Sequence, residues 1–386
     1  MCLNLSCGGS SNSEADPGAA FDRNAMLLHL GNEVIVPALQ ALDDRAASLL
    51  DATAAYQAAV QNGGDVQAAH AAAQAAWKQS MLALQELEPM QVGPAGSSAA
   101  GGAKGGMDLR DELYSWPTVS GCRVDQELIT QGFQVADFFE QELVNVYGLD
   151  ALEYLLFVDS ADHSCASQTG IDADWDALSE DELLLRRASY AATAAAYFKK
   201  TTSKLLTLWQ SDGGNFIAAF TEPGIGDSPY DDERCAVDEV FAALYHLELG
   251  LKDQKLGVPA GIRVECSKDV CPELVESVWA KHSKENIGAN LKGFEALFFG
   301  KEGLGFDDFL VELGAQSLAT ELRNQFDAIL AAYAQIQGTL SEALVLELDQ
   351  VVALHTAVKN FMDIVKSQVV SVLGLRVPLE ADGDND

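Results

Sequence analysis

Two carboxylates stand where a carboxylate is costly. The segment Gly148-Leu149-Asp150-Ala151-Leu152-Glu153-Tyr154-Leu155-Leu156-Phe157 is apolar nearly all round, the mark of a buried helix, and only Asp150 and Glu153 in it are ionisable. Three residues apart, they share one helical face and aim their charges at one place. Two like charges in an apolar setting need an arginine, a cation or a shared proton beside them. An ion pair to Arg110 or Arg123 would meet that need structurally, which is the commoner arrangement. A metal ion would meet it as a functional site.

Other groupings carry less. Asp172, Asp174 and Asp176 begin like a calcium loop, but Ala177 stands where the turn needs glycine and Leu183 where the bidentate glutamate belongs. Asp382, Asp384 and Asp386 read as a hydrated acidic terminus. His29, His70 and His355 have no ligating neighbour in sequence and read as packing or surface residues. Ser283 follows His282, yet adjacent residues on a helix diverge, so they do not form a nucleophile–base pair. No His-Glu-x-x-His occurs, and His246-Leu247-Glu248 lacks its second histidine.

The elements that must position Asp150 and Glu153 are helical. Residues 24–62 carry Leu27, Leu28, Leu30, Val34, Ile35, Leu39, Leu42, Leu49 and Leu50 at helical spacing, without strand-type alternation. Gly63-Gly64 ends that run, and an Ala-rich helix follows to about Leu87. Gly93 to Gly106 has the composition of a flexible surface loop. One long helix is expected from about Asp125 to Val158. Another is expected from Ser179, with Glu182 completing a capping box, to about Trp209. Beyond Asp212-Gly213-Gly214, helices are expected near 231–255, 272–298, 306–337 and 341–373. The reading is all-α, with two helical bundles in tandem: a tether over 1–20, a first bundle over 21–212 and a second over 213–386.

With 24 Lys and Arg against 58 Asp and Glu, the formal charge of −34 disfavours nucleic acid and anionic lipid as partners and favours cations. No apolar run approaches the roughly 18–20 residues of a membrane span. The start, Met1-Cys2-Leu3-Asn4-Leu5-Ser6-Cys7 before a Gly/Ser/Asn stretch, resembles a bacterial lipoprotein tether, with Cys7 as the lipid-bearing residue. None of the seven cysteines forms a Cys-x-x-Cys pair, so disulfides are the reading for an exported chain. Cys122 with Cys165 and Cys266 with Cys271 are the expected pairs, leaving Cys235 single.

Several stretches, in order along the chain, are similar to the imelysin family, the M75 peptidase-like, iron-regulated envelope proteins. Residues 148–153 resemble its Gly-x-His-x-x-Glu motif. Trp77 to Gly93-Pro94, with Glu88, resembles its Trp…Glu…Gly-Pro helix end. Asp108-Leu109-Arg110 through Tyr114-Ser115-Trp116-Pro117 resembles its Asp-x-Arg…Ser-Trp-Pro stretch, followed by Cys122-Arg123-Val124-Asp125. Lys255-Leu256-Gly257-Val258-Pro259-Ala260-Gly261, the block from His282 through Asn290 to Phe299-Gly300, and the terminal Asp382-Gly383-Asp384 look like further family segments. The resemblance implies two helical bundles with a site near their junction. It implies a metal cluster of Glu88, Asp108, Asp150 and Glu153, with Asp111 as substitute for Asp108, supported by Arg110, Ser115, Trp116 and Arg123. Where the motif has histidine this chain has Asp150, and an all-oxygen cluster suits Fe³⁺, Ca²⁺, Mn²⁺ or Mg²⁺ better than Zn²⁺. The implied function is an envelope-anchored metal-binding protein of iron or other hard-cation uptake, working with an envelope transporter. A metallopeptidase, or an interaction module with a degenerate site, are the alternatives.

Overall fold

The computed structural model describes residues 20–378. The lipoprotein-like tether with Cys7, and the acidic terminus with Asp382, Asp384 and Asp386, lie outside the described residues. Among the described residues every regular element is a helix and none is a strand.

The chain groups into two compact units. The smaller comprises Leu39–Leu84 and Leu109–Leu206; the larger comprises the described parts of Met1–Ala38, Gln85–Asp108 and Thr207–Asp386. This division differs from the serial 21–212 and 213–386 expected from the sequence. Glycine punctuation marks where a helix ends, whereas packing decides which unit a segment joins.

In the smaller unit Trp77 is wholly buried and its indole N–H donates to Leu149 O at 2.7 Å, tying Val66–Leu87 to the start of Gly148–Phe157. The helix Glu180–Trp209 begins as its sequence predicts, with Ser179 Oγ accepting from Glu182 N–H. Phe133 and Tyr190 stack at 4.5 Å between centroids. The expected helix from Asp125 to Val158 is replaced by three short helices, Gly121–Thr130, Phe138–Gln141 and Gly148–Phe157, joined by 3₁₀ turns. Gln131, Asp137 and Gly148 all adopt left-handed φ values of 54°, 62° and 84°, each of which stops α-helical continuation.

The core of the larger unit is aromatic: Phe294, Phe298, Phe326 and Phe361 contact one another at 5.5–5.9 Å. Three π-helical stretches, Leu30–Ile35, Leu247–Gly257 and Val365–Val369, interrupt its helices. The first lies where Pro37 would otherwise clash with the Glu33 carbonyl. By length and composition the helix Arg23–Asn62 is apolar enough to cross a membrane, contrary to the sequence expectation. Its apolar side chains nevertheless serve the interior, since Met26, Leu27, Leu30, Leu42 and Leu49 are no more than 1% exposed.

Both expected disulfides are present, Cys122–Cys165 and Cys266–Cys271, and Cys235 is buried outside any disulfide. The first closes 43 residues and the second 5. Replacing the first pair by serines is therefore expected to cost about 4 kcal/mol and the second about 2 kcal/mol. Guanidinium melts of the two double variants check that order.

Candidate functional site

Asp150 sits in the first turn of Gly148–Phe157 because the chain can turn sharply at Gly148. A Cβ at Gly148 would lie 2.8 Å from Leu113 O and 2.9 Å from Asp150 Oδ1, so any other residue would displace the carboxylate. Leu149 N–H donates to Leu113 O at 3.0 Å and brings the 113–115 segment alongside. The Ser115 hydroxyl donates to Asp150 Oδ2. Ser115 is itself held by Thr118, whose backbone N–H and hydroxyl both donate to Ser115 O. Trp116-Pro117, between them, is a cis peptide.

Asp150 is 1% exposed. Burial dominates its electrostatics and pushes the carboxyl up to about 7, although the Ser115 hydroxyl and the N–H groups of Asp150, Ala151 and Ser115 favour the charged form. None of those donors reaches Oδ1 with hydrogen-bond geometry, and Oδ1 has no hydrogen-bond partner among the described residues. Glu153, one turn along the same helix, is 2% exposed. A second buried acid in this unit, Asp125, shows the contrast. It accepts from the Tyr154 hydroxyl at 2.8 Å and from the N–H and hydroxyl of Ser164 at 2.7 and 2.8 Å. Asp125 is a satisfied structural carboxylate; Asp150 is not.

The arginine reading is corrected for Arg123, which pairs with Glu127 at 2.9 Å and Glu142 at 3.2 Å. Arg110 bonds Asp111 at 3.0 Å and lies over the Tyr114 ring. The hydrogen-bond donor that Asp150 does have is the neutral hydroxyl of Ser115, 35 positions away in sequence.

Glu88 and Asp108 belong to the larger unit. Glu88 is fully buried; Gln91 Nε2 donates to its carboxylate at 3.3 Å and His246 Nδ1 faces it at 3.7 Å. Both oxygens of Asp108 accept from Ser98, from its N–H at 2.8 Å and from its hydroxyl, and these bonds hold the Asp108 carboxyl below the usual range. Asp108 thereby closes the 98–108 loop. Asp111, the substitute, is exposed beside Arg110. Among the described residues no three His, Cys, Asp or Glu side chains are grouped to hold a metal ion. Ser283 donates its hydroxyl to Glu276 O, in keeping with a structural role.

The imelysin (peptidase M75) family model matches residues 35–363. The chain belongs to the imelysin family. Its fold is similar to that of an imelysin-like protein from Psychrobacter arcticum, with a TM-score of 0.68 at 18% identity over 93% of this chain and 98% of that one. It is also similar to a putative iron-regulated protein A precursor from Parabacteroides distasonis, with a TM-score of 0.65 at 14% identity over 94% and 96%. No curated protein matches the chain. Sequence reasoning passed over Tyr245 and Glu239 and set His246 aside for want of a second histidine; in this imelysin-family chain all three line a cavity in the larger unit. The signal was the glycine-rich 93–106 stretch, whose composition read as a loose loop.

Proposed function

We propose that this imelysin-family chain is an exported cation-binding protein of iron or other hard-cation uptake, with Asp150 and Glu153 supplying the charge. The observation that carries the reading is Asp150 Oδ1: a buried carboxylate oxygen without a hydrogen-bond partner among the described residues, one turn from a second buried carboxylate. A bound cation offsets the cost of placing two such charges together. The donor type fits a hard ion, being oxygen alone, and hard ions commonly retain water in the positions a protein leaves open. Holding and releasing an ion asks only for that charge match, whereas peptide hydrolysis also asks for a general base beside an open metal position, so the carrier reading is preferred. The iron-regulated name of the Parabacteroides precursor supports iron as the cargo, and an envelope transporter is the partner such a carrier would need. Two disulfides support an oxidising compartment.

Calorimetric titration of chelator-stripped protein with Fe³⁺ (as a soluble chelate), Mn²⁺, Ca²⁺ and Zn²⁺ tests this. Saturable binding of a hard ion, weakened at least tenfold by Asp150→Asn, is expected; each tenfold corresponds to about 1.4 kcal/mol. Silence from all four ions would sink the proposal.

A further inference from the structure

In the larger unit two apolar side chains stand in water at the end of one short helix. Leu340, Ala343 and Leu344 of the helix Leu340–Leu346 are each 1% exposed and fix it to the interior, whereas Val345 is 64% and Leu346 79% exposed. Both line a groove of about 620 Å³ that Pro272 and Val278 also line. Leu274, two residues beyond Pro272, is a third exposed apolar side chain. Single exposed leucines are ordinary; an exposed apolar pair on the edge of a groove marks a surface that meets something.

The walls of the groove are fixed. Thr339 and Glu342 form a capping box at the start of the helix. The Thr339 N–H and hydroxyl donate to the Glu342 carboxylate at 3.0 and 2.9 Å, and Glu342 N–H donates to Thr339 Oγ1 at 3.3 Å. The turn Pro272–Leu274 follows directly on the Cys266–Cys271 disulfide, and Leu274 N–H donates to Cys271 O at 2.9 Å. The Ser341 hydroxyl donates to Pro272 O at 3.4 Å and ties helix to turn. Val345 and Leu346 are thus presented by a preformed surface, so little ordering is lost when a partner docks.

Charge selects the partner. Glu273 and Glu342 line the groove together with Lys281, and Lys268 bonds Glu273. Past Leu346 a second hollow is lined by Glu347 and Asp349 and by no lysine or arginine. These four acids face two lysines, and the excess negative charge lies at the Glu347–Asp349 end. A second copy of the chain, at −34, or an anionic lipid surface is repelled there. A cationic partner is attracted, and its apolar residues can cover Val345 and Leu346.

We propose that this face docks a basic amphipathic helix of a protein partner, its apolar stripe seated on Val345 and Leu346 along the groove and its lysines or arginines directed at Glu347 and Asp349. Helix-in-groove recognition takes apolar anchors at i, i+3, i+4 and i+7, while flanking charge sets orientation and encounter rate. Neither Asp150 nor Glu153 lines the groove or the hollow, so docking here is independent of a cation held at Asp150.

The test uses the full chain in chelator, which separates its outcome from that of the cation titration. Fluorescence anisotropy compares three probe peptides of about five helical turns. The first carries leucines at the anchor spacing and lysines elsewhere; the second replaces the lysines by glutamates; the third replaces the leucines by serines. The first alone is expected to bind saturably. Val345→Ser with Leu346→Ser leaves every charge in place and should weaken that binding at least about tenfold, as loss of central apolar anchors does. Both side chains are exposed, so this variant should keep the parent's thermal midpoint. Glu347→Gln with Asp349→Asn should flatten the salt dependence of binding. No saturable binding of the first peptide, equal binding of the third, or binding indifferent to the serine variant would overturn the proposal. So would a dimer in sedimentation velocity that the serine variant abolishes, which gives the face to a second copy. Flotation with phosphatidylcholine vesicles, lost in the same variant, would overturn it in favour of a membrane.

Discussion

Asp150→Asn is expected to make the chelator-stripped protein more stable at pH 8 by about 4 kcal/mol, and to change its stability by no more than about 0.5 kcal/mol near pH 4. Burial raises the folded-state pKa of Asp150 from 3.8 to about 7. Below the unfolded value both states hold the proton and the side chain carries no ionisation penalty. As pH rises towards 7 the unfolded chain releases its proton while the folded chain keeps it, so stability falls. Above 7 the folded chain carries the full penalty, about 1.36 kcal/mol for each of roughly three pKa units. Asparagine cannot ionise, keeps the acceptor for Ser115 and avoids that loss. Urea denaturation at pH 4, 6 and 8 reads the difference, and parallel profiles for the two proteins would refute it. The same pair reports on the ion. A cation bound at Asp150 should stabilise the parent by about 2.7 kcal/mol at a hundred times its Kd, and the variant, binding at least tenfold more weakly, by no more than about 1.4 kcal/mol at the same concentration.

Lys255→Met is expected to destabilise the larger unit by about 3–5 kcal/mol. The Lys255 ammonium is 2% exposed and is matched on every side: it donates to Gln85 Oε1 and to Asn290 Oδ1 at 2.7 Å, and pairs with Glu276 Oε1 at 3.1 Å. Glu276, also buried, accepts further bonds from Gln85 Nε2 and Asn286 Nδ2, both at 2.9 Å. Methionine fills similar volume but strands the Glu276 charge without its cation, which costs more than the pair contributes when intact. Adding Glu276→Gln should recover part of the loss. A double-mutant cycle by chemical denaturation would show coupling of about 0.5–3 kcal/mol, and additive losses would exclude this account.

The helical class, the capped helix at Ser179 and the costly position of Asp150 are all legible in the sequence, because each rests on local periodicity or on an apolar run. The cysteine pairs match expectation, although the long helix expected between Cys122 and Cys165 does not exist. What hides that break is chemistry without a strong signature: Gln131 and Asp137 take left-handed φ without being glycine. The arginine partner expected for Asp150 fails on Arg123 because two nearer carboxylates, Glu127 and Glu142, claim that guanidinium. The cavity in the larger unit is invisible for the opposite reason. Its glycine-rich wall has the composition of a loose loop, and only a distant residue, Glu239, makes it rigid, its two oxygens accepting from the N–H groups of Gly93 and Lys104. Period counting also misplaces faces beyond residue 246, where the backbone leaves 3.6 residues per turn for a π stretch.

That π stretch has a consequence at the level of the gene. An α-helix rotates by about 100° per residue. Loss of one codon between Leu247 and Leu251, inside that stretch, would therefore swing everything downstream about the axis relative to everything upstream. Tyr245 and His246 lie before the cut, Lys252 and Lys255 after it. The segment should resist a change in length even where it accepts an amino-acid exchange. A chain shortened there would keep either Tyr245 and His246 or the buried Lys252 and Lys255 in place, and not both pairs.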